Sequence, residues 1–292
     1  MIQKIATSSV FMLSMFFTTR SYSNTTTEVD KEANTNESVH RSNDQLNSNL
    51  SIIQLGLGLA QFQDKATSPL IYSGLHINTG LGRSWMLKNA NELNAMLNVG
   101  FSLIATNPPL QIISTVNNAY AVNGQVSLGY LHTLIGNSQS KFIVKAGAKA
   151  DSWLDFRINT NHMNNTLGYD IIANLMASGK AVYTYQRKNK QKAIFATMHI
   201  GVINLNNRPG YNYSTTVPLI SDEHTKDEQL NRKWKMNGTR LQTEIGIVSN
   251  KFKGYSQAYS YVFEGIKAPG RFEPFGFATH HIKYTLYLKR NK

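Results

Sequence analysis

Acid–base chemistry is the first activity to test for in this 292-residue chain, and its materials are present. Asp151, Asp155 and His162 fall around one predicted loop, and His76 and His199 sit inside alternating segments. A histidine oriented by a carboxylate, beside a second acid, is the set that general acid–base hydrolysis uses. His76, Asp151, Asp155 and His199 are therefore the catalytic candidates. Nothing in their spacing fixes a geometry, and no GxSxG-type nucleophile signature accompanies them. Isolated histidines on a polar strand face more often serve as structural hydrogen-bond partners. The chain has no cysteine, which removes thiolate nucleophiles, thiolate metal sites, disulfides and a lipidated cysteine. His280 and His281 make a poor metal pair, because consecutive strand residues face opposite ways. No metal and no cofactor are expected.

The elements that would position these residues are strands. In SIIQLGLGLAQF, residues 51–62, Ile53, Leu55, Leu57 and Leu59 share one parity, while Gln54, Gly56, Gly58 and Ala60 share the other. Ten such segments follow the same rule: 51–62, 71–86, 93–105, 119–133, 141–156, 166–186, 192–205, 239–249, 255–264 and 277–289. Most exceed the five or six residues usual in soluble strands and reach the roughly 9–11 that cross a bilayer at a tilt. After the first loop, the connections alternate short and long. Residues 87–92, 134–140, 187–191 and 250–254 are short turns, whereas 106–118, 206–238 and 265–276 are long and 157–165 is of medium length.

Face chemistry separates two environments. Leu75, Ile77, Leu81, Leu97, Val99, Phe101, Val122, Val126, Ile194, Met198, Ile200 and Ile282 lie on one face. His76, Asn94, Asn98, Gln125, Lys145, Lys149, Asp151, Asp170, Asn174, Lys180, His199, Arg240, Gln242, Glu244, His281 and Lys283 lie on the other. Aromatic residues on the apolar parity gather near strand ends: Trp85, Tyr130, Tyr183, Tyr185 and Tyr255 toward short turns, and Tyr120, Tyr169, Tyr261 and Phe263 toward long loops. Two aromatic belts around an aliphatic band are what membrane interfaces select. Trp153 falls on the polar parity, which predicts a bulge or a strand end there. Nearly all glycines within the segments share the polar parity, so space on that side is scarce, with room kept for Tyr72, Arg83 and Met176.

The amino terminus reads as a secretory signal over 1–23, with Lys4, an apolar stretch and Ser21-Tyr22-Ser23 as a small-x-small cleavage site. Residues 24–50 read as a disordered polar leader, nearly free of large apolar side chains. The chain carries 30 Lys and Arg against 17 Asp and Glu. The leader is net acidic, so the basic excess belongs to 51–292. Its clusters (Arg187, Lys188, Lys190 and Lys192; Lys251 and Lys253; Lys289, Arg290 and Lys292) fall in predicted turns and the tail, where they meet water or anionic headgroups. No nucleic-acid partner is expected.

Taken together, these features resemble a bacterial outer-membrane β-barrel of the ten-strand size, over 51–292 plus the signal. The resemblance rests on pattern rather than on a signature motif. It implies an all-β, antiparallel up-and-down transmembrane barrel with short periplasmic turns and long extracellular loops, in the outer membrane of a Gram-negative bacterium with outer-membrane lipid around it. Eight strands leave an interior just filled by side chains and sixteen or more leave an aqueous channel, so ten lies near the closed end. Lys145, Lys149, Asp170, Lys180, Arg240, Glu244 and Lys283 then form a lumen polar network, paired because buried charges must be paired or solvated. The first functional reading is a non-enzymatic protein with a mostly plugged lumen, whose loop 206–238 meets an extracellular partner. The second is a narrow, porin-like pore for small solutes. The third is an omptin-like or lipid-hydrolysing barrel enzyme.

Overall fold

The computed structural model describes residues 49–65, 70–106, 118–159, 167–187, 190–207, 234–251, 255–268 and 274–289. The signal segment, the leader up to residue 48, His162 and residues 208–233 of the longest loop lie outside the described residues. The strands are β1 (Leu50–Asp64), β2 (Tyr72–Met86), β3 (Glu92–Ala105), β4 (Asn118–Ile135), β5 (Phe142–Asn159), β6 (Leu167–Arg187), β7 (Lys190–Asn207), a short β8 (Trp234–Met236), β9 (Thr239–Lys251), β10 (Tyr255–Ala268) and β11 (Phe275–Lys289). All ten expected strands are present, with ends displaced by a few residues.

Each strand pairs antiparallel with its neighbour, and β1 pairs with β11 from Leu50↔Lys289 to Asp64↔Phe275. β7 pairs with both β6 and β9, so the sheet closes into a ten-strand ring with β8 as an appendage on β7. The ends of the expected loop 206–238 are thus ladder rather than loop: Asn206 and Asn207 pair with Lys235 and Trp234. The principal strands run from 13 to 21 residues. At about 3.3 Å per residue, a 15-residue strand such as β1 reaches about 50 Å, more than enough for a tilted bilayer crossing.

The two faces are sorted as a soluble protein would not sort them. Leu55, Leu57, Leu81, Val126, Val202 and Ile282 are more than half exposed on the outside, whereas Asp64, Asp155, Asp170 and Arg240 are buried inside. Every aspartate and glutamate among the described residues (Asp64, Glu92, Asp151, Asp155, Asp170, Glu244 and Glu264) takes an inward position. Outward positions carry cations instead, at Arg83, Arg187, Lys190, Lys192 and Lys267. Arg83, expected inside, shares its parity with Leu81 and reaches over the Trp85 ring, 5.6 Å from its centroid.

Trp153 needs no bulge, because its inward position is real: it is buried between Asp151 and Asp155 on the same face. The bulges lie elsewhere. Between Gly201 and Ile203, Val202 has no partner on β6. That extra residue exchanges the parity of β7, so that Asn204 and Asn206 become the buried positions.

Inward glycines mark where the curved sheet leaves no room. A Cβ on Gly58 would collide with the His280 carbonyl oxygen and stand 2.5 Å from the His281 Cα, whereas one on the outward Gly124 would meet nothing within 4 Å. Gly58→Ala is expected to destabilise the barrel by about 1–3 kcal/mol, and Gly124→Ala to leave it within about 0.5 kcal/mol of the parent. Urea unfolding of the two variants in lipid vesicles checks the contrast.

Candidate functional site

The described lumen has two storeys. Toward the long-loop end lies a buried layer of Phe62, Tyr72, Trp153, Phe275 and Phe277, packed with Ile104, Ala119, Ala121, Ile172, Ile266 and Ala268. Its rings form a continuous chain across the barrel. Phe62 contacts Tyr72 and Phe275 at centroid distances of 6.0 and 5.7 Å, and Trp153 of β5 meets Phe275 and Phe277 of β11 at 6.0 and 5.5 Å. Alanines on β1, β4 and β10 make room for these rings.

Arg157 is set into this layer. Its guanidinium pairs with Asp155 at 2.7 Å, Asp170 at 2.6 Å and Asp64 at 3.1 Å, which brings β5, β6 and the opposite strand β1 to one point. Phe62 and Phe275 flank the guanidinium, with centroids 4.7 and 5.2 Å from its central carbon. A planar cation with five donors suits this arrangement, in which aromatic faces cover it and carboxylates take its edges.

Below this layer the lumen opens into a cavity of about 300 Å³, lined from Glu264, Gln125 and Gln242 at mid-barrel down to Ser138 and Ser140 in a short turn. Ion pairs here also join strands that are not neighbours in the sheet. Glu92 of β3 accepts from Lys145 at 3.1 Å and from Lys180 at 2.8 Å, and Lys283 meets Glu244 at 2.7 Å. Arg240 of β9 reaches Asp151 of β5 at 3.1 Å, with Gln125 donating to the same carboxylate oxygen at 2.8 Å. Lys149 donates to the amide oxygen of Gln242 at 2.6 Å and forms no ion pair among the described residues.

The four catalytic candidates are not assembled into one centre. His76 pairs through Nδ1 with Ser102 at 2.9 Å, and His199 through Nδ1 with Ser178 at 2.7 Å. Asp155 is held by Arg157, and Asp151 by Arg240 and Gln125. No histidine among the described residues hydrogen-bonds a carboxylate. Of the network candidates, Glu244 and Lys283 pair with each other, whereas Lys145, Lys180, Arg240 and Asp170 pair with Glu92, Asp151 and Arg157, outside the expected set. Asp64, Glu92, Arg157 and Glu264 were missed because each lies at, or just beyond, a predicted strand end. Parity would have found them: Asp64 continues the row of Ala60 and Phe62, and Arg157 continues that of Asp151, Trp153 and Asp155.

An apolar exterior, a closed backbone ring and a charged interior leave one architecture. The fold is that of an outer-membrane β-barrel. Among solved structures the chain is similar to the outer-membrane protease OmpT of Escherichia coli, at 7% identity and a TM-score of 0.47, covering 82% of this chain and 97% of that one. It is also similar to the translocator domain of the autotransporter NalP from Neisseria meningitidis, at 10% identity and a TM-score of 0.40, covering 98% of each chain. A third is the β domain of the Bordetella autotransporter BrkA, at 7% identity and a TM-score of 0.34, covering 82% and 98%. No family model and no curated protein matches the sequence.

Removing the Arg157 guanidinium leaves three buried carboxylates facing one another. Arg157→Leu is expected to destabilise the barrel by about 3–5 kcal/mol, because withdrawing the cation from three buried carboxylates costs more than the pairing itself gains. The quadruple variant, with Asp64→Asn, Asp155→Asn and Asp170→Asn added to Arg157→Leu, is expected to recover much of that loss. Urea titrations of the folded, heat-modifiable species in vesicles distinguish the two.

Proposed function

We propose that the protein is a non-enzymatic barrel of the outer membrane, carried across the inner membrane by its amino-terminal signal. Its lumen is plugged near the long-loop end, and its long loops meet partners outside the cell. The observation that carries this reading is the ring layer from Tyr72 through Phe62 and Phe275 to Trp153, with Arg157 fixed inside it. Side chains from β1, β2, β5 and β11 meet in that layer, so a solute in the cavity below faces packed rings rather than an open path. Separate histidine and aspartate environments, each with structural partners, support the non-enzymatic half of the reading. The loop half is supported by β8, which holds Trp234 and Met236 well exposed at the foot of the longest loop, a surface suited to an external contact.

Planar-bilayer recordings test the plug. The native barrel is expected to show no discrete conductance, and the Trp153→Ala/Phe275→Ala variant to show resolved openings. Steady conductance by the native barrel would replace this reading with the narrow pore. Hydrolysis of peptide or phospholipid that Asp155→Ala or His199→Ala abolishes would replace it with an enzyme.

A further inference from the structure

The β6–β7 hairpin presents an outward surface that the lumen does not use. Along β6, outward positions run Ala177, Gly179, Ala181, Tyr183, Tyr185 and Arg187; along β7 they run Ile200, Met198, Ala196, Ile194, Lys192 and Lys190. Both rows pass from small or aliphatic side chains to aromatic rings and cations as they approach the short turn. That is the order a leaflet presents from acyl chain to glycerol to phosphate. Tyr183 and Tyr185 stack at 6.3 Å with ring planes 16° apart, and they lie directly across from Ile194 and Lys192.

Beyond them the hairpin leaves its neighbours. β5 begins at Phe142, opposite Tyr183, and the β7–β9 ladder begins at Lys192↔Ser249, so Arg187 and Lys190 stand past both flanking ladders. Arg187 and Lys190 form a directly opposed cross-strand pair, with Lys192 on the diagonal. Like charges placed this way repel. No carboxylate among the described residues takes an outward position to offset them.

We propose that this hairpin end binds the phosphate of an anionic phospholipid, with Arg187, Lys190 and Lys192 holding the headgroup and Tyr183 and Tyr185 lying against its glycerol region. The proposal rests on the membrane reading above. An anionic phosphodiester supplies the countercharge that the cross-strand pair lacks, and the aromatic and aliphatic residues above accept the attached chains. The cations are presented to lipid rather than to the lumen, where each carboxylate already has a use.

The test uses the mature protein in nanodiscs of equimolar phosphatidylglycerol and phosphatidylcholine with identical acyl chains. Insertion is followed by heat-modifiable migration, and lipids retained after gentle detergent release are counted by native mass spectrometry. Retained lipid is expected to be enriched in phosphatidylglycerol. Enrichment should fall roughly five-fold for each cation removed in the series Arg187→Gln, Lys190→Gln and Lys192→Gln, and persist in Lys267→Gln at the opposite barrel end. A chain that fails to insert overturns the membrane reading itself. An inserted barrel with equal retention of both lipids, or with enrichment unchanged in the triple variant, overturns the lipid site alone. Displacement of the retained lipid by soluble polyglutamate would assign the hairpin to an acidic partner in water, and would equally overturn it.

Discussion

Hydrocarbon offers no hydrogen bonds, so a chain that crosses it as strands must pair every backbone amide and carbonyl with another strand. Closure of the ring through β1–β11 on one side and β6–β7–β9 on the other meets that demand. The rest of the architecture follows. Once the sheet is a closed wall, the alternation of a strand admits only two destinations for a side chain, lipid or a narrow lumen, and each residue type is sorted by what those two media tolerate.

The inward half carries the harder problem. A small lumen must hold alternate residues of ten strands, and this one holds all seven carboxylates of the described residues as well as Lys145, Lys149, Arg157, Lys180, Arg240 and Lys283. The solution is geometric. Glycine and alanine at close approaches yield space to a few large groups, and cations reach across the axis to acids on distant strands, as from Arg157 to Asp64 and from Arg240 to Asp151. Pairing across the axis also ties opposite walls together, so charge neutralisation and lumen filling are performed by the same side chains.

Much of this was legible in the sequence because a period of two is a strong signal over segments this long. The faces of Leu57, Lys145, Asp170 and Lys283 follow from parity alone. Partnerships do not, because parity gives the side of the wall and says nothing of height. Which acids meet Arg157 depends on the stagger between β1, β5 and β6, and Asp64 and Arg157 themselves lay past the predicted strand ends. Trp153 and Arg83 were misread for a related reason. An inward tryptophan looks wrong until the lumen is seen to contain an aromatic layer, and an outward arginine looks wrong until a neighbouring indole and the membrane interface are there to receive it. The bulge at Val202 did leave a mark, since the apolar row passes from even positions (Ile194, Met198, Ile200, Val202) to odd ones (Ile203, Leu205) while Asn204 and Asn206 take the even parity.

The seam between the first and last strands has a temporal meaning as well as a spatial one. Leu50 lies opposite Lys289, so this ladder joins residues at nearly the greatest sequence separation in the ring, where loop-closure entropy delays contact most. Nine other ladders can form between sequence neighbours, but the wall has no inside until this one zips. A partly built barrel is therefore a sheet with two bare edges, each able to recruit a foreign strand. For this chain the last seam to form divides assembly into a long interval of risk and a single act of closure.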